Sequence, residues 1–231
     1  MKITEKTKQL LHNFRLISNS IVFTPGNTIS IVHNNRVASA EATISETFPQ
    51  EFAISDLKKF LDILKTDVEC DVEFHDNHVE IRQSDKGKLL STTNVIYANK
   101  NFIQHKTGVS VPTNDLVTVK LSASNIKEIY RISNVLMLED MLITGDEKNI
   151  TLKLVNKSVK GLNDSFELDL GENKSGYIFR VYFKIMHLRL LEGDYTLHIR
   201  DTFTEFVLDS EPVKYWLSNE QDSVFKEIEH G

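Results

Sequence analysis

A chain of 231 residues, 40% hydrophobic and 26% charged, has the proportions of a folded protein with room for one large domain or two of about 115 residues. Its apolar runs fall short of the roughly 18 residues of a membrane span, residues 1–6 lack the apolar stretch of a secretory signal, and a single cysteine, Cys70, excludes an internal disulfide, so a cytosolic protein is expected. The net charge of −6 argues against a uniformly basic nucleic-acid binder, which leaves the distribution of charge as the informative quantity.

In chain order, residues 4–17 are expected to form a helix, with Thr4 as N-cap and Leu10, Leu11, Phe14 and Ile17 on one face. A second helix is expected over 56–65, where Leu57, Phe60, Leu61 and Leu64 share a face. Cys70, Val72 and Phe74 then alternate with Asp71 and Glu73, and Val79 and Ile81 with Glu80 and Arg82. That is the period of two strands, with residues 75–78 as their hairpin connection. A third helix is expected over 122–134 through Ile126, Ile129, Tyr130 and Ile132. Strands are expected over 149–155, 165–170, 177–183, 195–200 and 203–208, interrupted by a short fourth helix over 184–191 that stops at Glu192-Gly193-Asp194.

The order of elements repeats. Leu11, Phe14 and Ile17-Ser18-Asn19 match Ile126, Ile129 and Ile132-Ser133-Asn134 at an offset of 115, and Ile54, Leu57 and Phe60 match Tyr182, Ile185 and Leu188 at an offset of 128. Two similar α+β domains, residues 1–97 and 116–231, are therefore expected around a connector at 98–115 that holds Asn99-Lys100-Asn101, Gly108 and Pro112. In each, two helices bury their apolar stripes on antiparallel sheet.

The four helical windows hold ten basic and four acidic residues, against 17 basic and 29 acidic elsewhere. Lys8, His12 and Arg15 fall at i, i+4 and i+7 on the first helix. Lys58, Lys59 and Lys65 lie off the apolar face of the second, Lys127 and Arg131 form an i, i+4 pair on the third, and Lys184 and Arg189 flank His187 on the fourth. Lysine and arginine also populate ordinary solvated helix faces. The functional reading is a helical surface that meets a polyanion through diffuse phosphate contacts, with no base-reading cluster, and an acidic remainder that faces away.

Catalytic chemistry is not expected. Gly87-Lys88 is followed by Leu89 and lacks the upstream glycine of a phosphate loop, and the carboxylates show no spacing that calls for acid–base work. His75 and His78 have no cysteine or third histidine nearby in sequence, so neither a metal site nor a cofactor is expected. Cys70 fits a small core residue. Phe102, Ile103 and Val109 in the connector and Trp216 near the C-terminus are candidates for a partner pocket. The three connector residues fit equally well as anchors that pin it to its domain, and Trp216 as a sheet residue of a last strand.

The stretch from Met1-Lys2-Ile3 through Leu10-Leu11-His12-Asn13-Phe14 resembles the start of the sliding clamps of T-even-type bacteriophages. So do Ile21 through Ala40-Glu41-Ala42-Thr43-Ile44-Ser45, and Phe52-Ala53-Ile54-Ser55-Asp56-Leu57 with Phe60-Leu61-Ile63-Leu64. In the second half Tyr130-Arg131-Ile132-Ser133 and Leu191-Glu192-Gly193-Asp194-Tyr195 fit as well, while residues 86–115 fit least. The resemblance implies a non-enzymatic DNA clamp: a homotrimer of two-domain subunits whose helices line a hole for duplex DNA. It further implies a clamp-loader ATPase that opens the ring, a replicative DNA polymerase docked through a C-terminal peptide, a role in late transcription with proteins on RNA polymerase, and the cytoplasm of an infected bacterium. The competing readings are an enzyme of nucleotide or nucleic-acid metabolism, which needs a polar cleft cluster, and an interaction scaffold whose basic helices meet an acidic protein.

Overall fold

In a computed structural model of the chain, residues 1–64, 68–105, 115–159 and 164–228 are described. The chain divides into two compact units, Met1–Val109 and Ser110–Gly231. Three α-helices and many antiparallel strands make up the described residues, and none of these helices is long and apolar enough to cross a membrane.

The first unit runs α1 (Glu5–Phe14), β1 (Ile21–Phe23), β2 (Gly26–Val32), β3 (Ala38–Phe48), β4 (Phe52–Ile54), α2 (Leu57–Ile63), β5 (Glu69–Phe74), β6 (His78–Asp85) and β7 (Lys88–Ile96), then a 3-10 turn at Lys100–Phe102. Strand β1 pairs with β4, β2 with β3, and β5, β6 and β7 form a meander. Helix α1 starts where Thr4, in extended backbone, accepts the Thr7 N–H on its hydroxyl. A second anchor comes from β3. The buried Glu46 carboxylate accepts the Thr4 N–H at 2.5 Å and the Thr7 hydroxyl at 2.7 Å, so three polar groups at the helix start are satisfied without water. Leu10, Leu11 and Phe14 turn inward. The core continues into an aromatic cluster in which the rings of Phe23 and Phe52 stack 4.5 Å apart, with Phe48, Phe60 and Phe74 around them.

The second unit runs β8 (Val117–Leu121), α3 (Ala123–Leu136), β9 (Asp140–Gly145), β10 (Asn149–Val155), β11 (Phe166–Glu172), β12 (Tyr177–Lys184), a 3-10 turn (Ile185–His187), β13 (Tyr195–Ile199), β14 (Phe203–Leu208), β15 (Val213–Ser218) and β16 (Val224–Glu227). One sheet has the order β11-β10-β9-β12-β16, and β15, β14, β13 and β8 pair side by side in another. The last strand is therefore β16, and Trp216 lies in β15, buried. Helix α3 opens on a capping box between Ser122 and Asn125, and Asp194 adds a carboxylate that accepts the Ala123 N–H at 2.7 Å.

The fourth expected helix is a single 3-10 turn. The backbone of residues 188–191 is satisfied by tyrosines instead of by its own helix. The Tyr130 hydroxyl donates to the Leu188 carbonyl and accepts the Leu190 N–H. The Tyr195 hydroxyl donates to the Leu191 carbonyl, and the Tyr215 oxygen accepts the Leu191 N–H. Residue Lys184 is already committed to β12, opposite Asp140. What remains is too short to nucleate a helix against these competing bonds. The repeat at offset 128 nevertheless has a physical meaning, because Ile54, Leu57, Phe60, Tyr182, Ile185 and Leu188 are all buried. Burial is kept at the matched positions while helicity is not.

Candidate nucleic-acid interface

In the first unit, the basic residues of α1 and α2 are brought together by one asparagine. The Asn19 carbonyl accepts the Leu57 N–H at 2.7 Å, its side-chain oxygen accepts the Lys58 N–H, and its amide donates to Asp56. Asp56 in turn caps α2 by accepting the Lys59 N–H at 2.9 Å. That N–H and the Asn19 amide hold the Asp56 carboxyl below its ordinary range. The last turn of α1, with exposed His12 and half-buried Arg15, is thereby tied to the first turn of α2, with exposed Lys58 and Lys59. The two helices also pack against each other.

Lys8 departs from the expected stripe. Its side chain is only 8% exposed, and its ammonium lies 2.7 Å from Glu5 one turn earlier. A four-carbon stem lowers the cost of burial by packing along apolar surface while its charge finds a local carboxylate. Lys8 is thus part of the helix's own structure and offers nothing to an external phosphate. Lys65 lies outside the described residues.

In the second unit, Lys127 and Arg131 are exposed on α3. Arg131 makes two hydrogen bonds to Glu128, which hold the Glu128 carboxyl below its ordinary range and raise the guanidinium further. Lys127 pairs with Glu192, across from the segment that carries exposed Arg189 and half-buried His187. The two Tyr130 hydroxyl bonds clamp that segment to α3. Lys184 differs from these. Its ammonium sits 2.6 Å from Asp140, whose side chain is 1% exposed, so its charge balances a buried carboxylate.

The cations therefore fall into two classes. Lys58, Lys127 and Arg131 pair with carboxylates that are themselves solvated, and such pairs contribute little and are screened by salt, so a polyanion can displace the partner. Lys184 is held by a buried carboxylate, and Lys8, although Glu5 is itself solvated, is held by the burial of its own side chain. The sequence marks which residues are basic but not where their carboxylates sit. Only the i, i+3 and i, i+4 spacings of Glu5–Lys8, Glu128–Arg131 and Lys58–Asp62 were open to sequence reasoning.

The partner-pocket candidates separate as well. Ile103 is buried against Val22 and Ala53, with Ala98 packed beside it, and pins the connector to the first unit. Phe102, next to it, is 88% exposed. Trp216 is buried in β15, and Val109 lies outside the described residues.

No family model matches the chain. Similarity to individual proteins is extensive. The chain is 27% identical over 203 residues to the sliding clamp of Vibrio phage KVP40, covering 86% of this chain and 90% of that protein. It is 26% identical to the sliding clamp of Enterobacteria phage T4, with coverages of 85% and 86%, and 23% identical to that of Escherichia phage RB69, with coverages of 96% and 98%. The chain is a relative of the sliding clamps of T4-like phages. Solved structures agree on the fold. The proliferating cell nuclear antigen of Entamoeba histolytica superposes with a TM-score of 0.64 at 14% identity, over 92% of this chain and 94% of that one. The A. fulgidus homologue, solved with the C-terminal region of FEN-1 bound, gives a TM-score of 0.66 at 14% identity, over 94% and 96%. The α+β DNA-clamp fold thus spans nearly the whole chain.

Proposed function

We propose that this chain is a DNA sliding clamp, a non-enzymatic processivity factor whose subunits close into a homotrimeric ring around duplex DNA. The observation that carries this reading is that similarity to phage sliding clamps and the clamp fold both run over almost the full length of the chain, not over one module. Residues 1–97 and 116–231 act as the two clamp domains, joined by the connector at 98–115. Arg15, His12, Lys58, Lys59, Lys127, Arg131, Arg189 and His187 face the duplex. Their contacts are diffuse and directed at phosphates, so they carry no sequence information and permit sliding.

Ring closure is supported by the strand edges. Strand β7 pairs only with β6 among the described residues and exposes Leu89, Leu90 and Ile96, and β11 is one of the two outer strands of its own sheet. An open, apolar edge is a template for another chain. Two different edges, one per unit, suit a head-to-tail contact that closes by rotation. The ring then converts weak contact into topological attachment and holds a replicative DNA polymerase at high effective concentration near the primer end. A clamp-loader ATPase opens it, proteins of the late-transcription machinery bind the same ring, and the site of action is the cytoplasm of the infected host. The exposed Phe102 beside anchored Ile103 is available to such partners.

The deciding experiment loads the protein onto a nicked circular duplex and then linearises the circle. Retention on the circle and release from the linear form are expected, together with a trimer mass by light scattering. Equal retention on both forms would sink the reading.

A further inference from the structure

The β5–β6 hairpin gathers ligand-type side chains that the sequence keeps apart. Glu73 and Glu80 are direct cross-strand partners, and strand alternation puts Glu73, His75, His78, Glu80 and Arg82 on the face opposite buried Val72, Val79 and Ile81. Two like charges facing each other across a ladder are destabilising on their own. Arg82 bridges them, with Nη1 3.0 Å from one Glu73 oxygen and Nη2 2.5 Å from one Glu80 oxygen. Each carboxylate keeps a second oxygen. The other Glu73 oxygen is 3.9 Å from His75 Nε2. That nitrogen is closed off from solvent and makes no hydrogen bond among the described residues, a costly state for a polar atom.

We propose that Glu73, His75 and Glu80 form a binding site for a divalent transition-metal ion of the zinc class. One ligand atom from each already lies within 4.8 Å of the others. Bonds of about 2.0–2.2 Å to nitrogen and oxygen bring tetrahedral ligands to roughly 3.3 Å from one another, so closure shortens the separations by up to about 1.5 Å, through the ends of two flexible glutamates. The imidazole selects against magnesium and calcium, which take oxygen ligands.

The surroundings are those of a held site. The His75 backbone is fixed by its N–H to the His78 carbonyl at 3.0 Å and by the Gln50 amide on its own carbonyl at 2.8 Å. The His75 ring stacks on that of His78 at 4.5 Å, 11° from parallel, which restricts its rotation. Arg82 orients both carboxylates from behind, as an outer-shell partner does. Asp71, opposite Arg82 on β5, and Asp76 in the turn add negative charge nearby. Three protein ligands leave one tetrahedral position, which a water would take. The role is a structural clip on a hairpin, independent of the clamp reading.

The test titrates chelator-treated full-length protein with zinc chloride by calorimetry and with cobalt chloride by visible absorption. One ion per chain is expected, with d–d bands from cobalt and zinc-induced NMR shifts centred on the His75 ring. His75→Ala should weaken binding tenfold or more, whereas His33→Ala, far along the chain on another hairpin, should leave it unchanged. Absence of saturable binding by the wild-type protein, or a loss of less than tenfold in folded His75→Ala, overturns the site.

Discussion

The Lys184 ammonium and the Asp140 carboxylate form an ion pair 2.6 Å long at the end of the β9–β12 ladder, where the two residues are also backbone partners. Asp140 is fully buried, and its other oxygen accepts the Lys157 N–H at 3.1 Å. The hydrogen bond to Asp140 raises the Lys184 pKa above its ordinary 10.5, against the opposing effect of burial. A folded-state value above the unfolded one contributes stability that is complete below pH 10.5 and is lost as pH rises through the folded value. Lys184→Met should therefore destabilise the protein by roughly 3–5 kcal/mol, because it removes the cation that faces the buried Asp140 side chain. Chemical denaturation at pH 7 measures this loss. Lys184→Met/Asp140→Leu should recover most of it, and a single variant as stable as wild type would remove the pair from the account.

Glu46 predicts the acid limb of the stability curve. Burial pushes its carboxyl up, but the Thr4 N–H and the Thr7 and Ser45 hydroxyls pull it down further, to a net value below the ordinary 4.5. A depressed folded-state pKa contributes stability that is present above pH 4.5 and lost as pH falls through the folded value. Glu46→Gln should cost about 1–3 kcal/mol at pH 7 through the loss of charge-assisted hydrogen bonds at the start of α1. It should also flatten the decline in melting temperature below pH 5. Equal slopes in the two proteins would contradict the assignment.

The three α-helices were legible because each combines a capping residue with an uninterrupted apolar stripe: Thr4 before Leu10 and Leu11, Asp56 before Phe60 and Leu61, Ser122 before Ile126 and Ile129. Residues 184–191 have the stripe but no side-chain cap, and the three tyrosine hydroxyls that hold them come from up to 60 residues away in sequence. Propensity cannot anticipate a non-local competitor of that kind. The same limit explains Lys8. Helical spacing placed it beside His12 and Arg15, but whether a lysine stem lies along its own helix depends on what packs above it. The register that sets Glu73 opposite Glu80 was readable in principle, since the strands and their connection were both identified.

The β7 edge carries a prediction about assembly. Leu90 is 54% exposed and Ile96 68%, on a strand whose partner strand lies on one side only among the described residues. Leu90→Glu/Ile96→Lys changes no buried position, so the far-ultraviolet circular dichroism of the subunit should be unchanged. If β7 closes the proposed trimeric ring, light scattering should show monomers at concentrations where wild type assembles. A double variant that stays trimeric would move the seam elsewhere.

The division between displaceable and locked cations gives a test on DNA. Lys127 and Arg131 pair with the solvated Glu192 and Glu128, whereas Lys184 is held by buried Asp140. The logarithm of duplex affinity falls with the logarithm of salt by about 0.9 for every phosphate neutralised. Lys127→Ala/Arg131→Ala should therefore flatten that slope by up to about 2 per subunit and reduce loading on primed circles, with the trimer intact. Lys184→Met should leave the slope alone and register only in stability. Lys8→Met should behave in the same way, since its own side chain is buried. An unchanged slope in the α3 double variant, or an equal fall in the Lys184 variant, would mean that local pairing does not decide which cations meet the duplex. The DNA-facing surface would then have to be assigned to other residues.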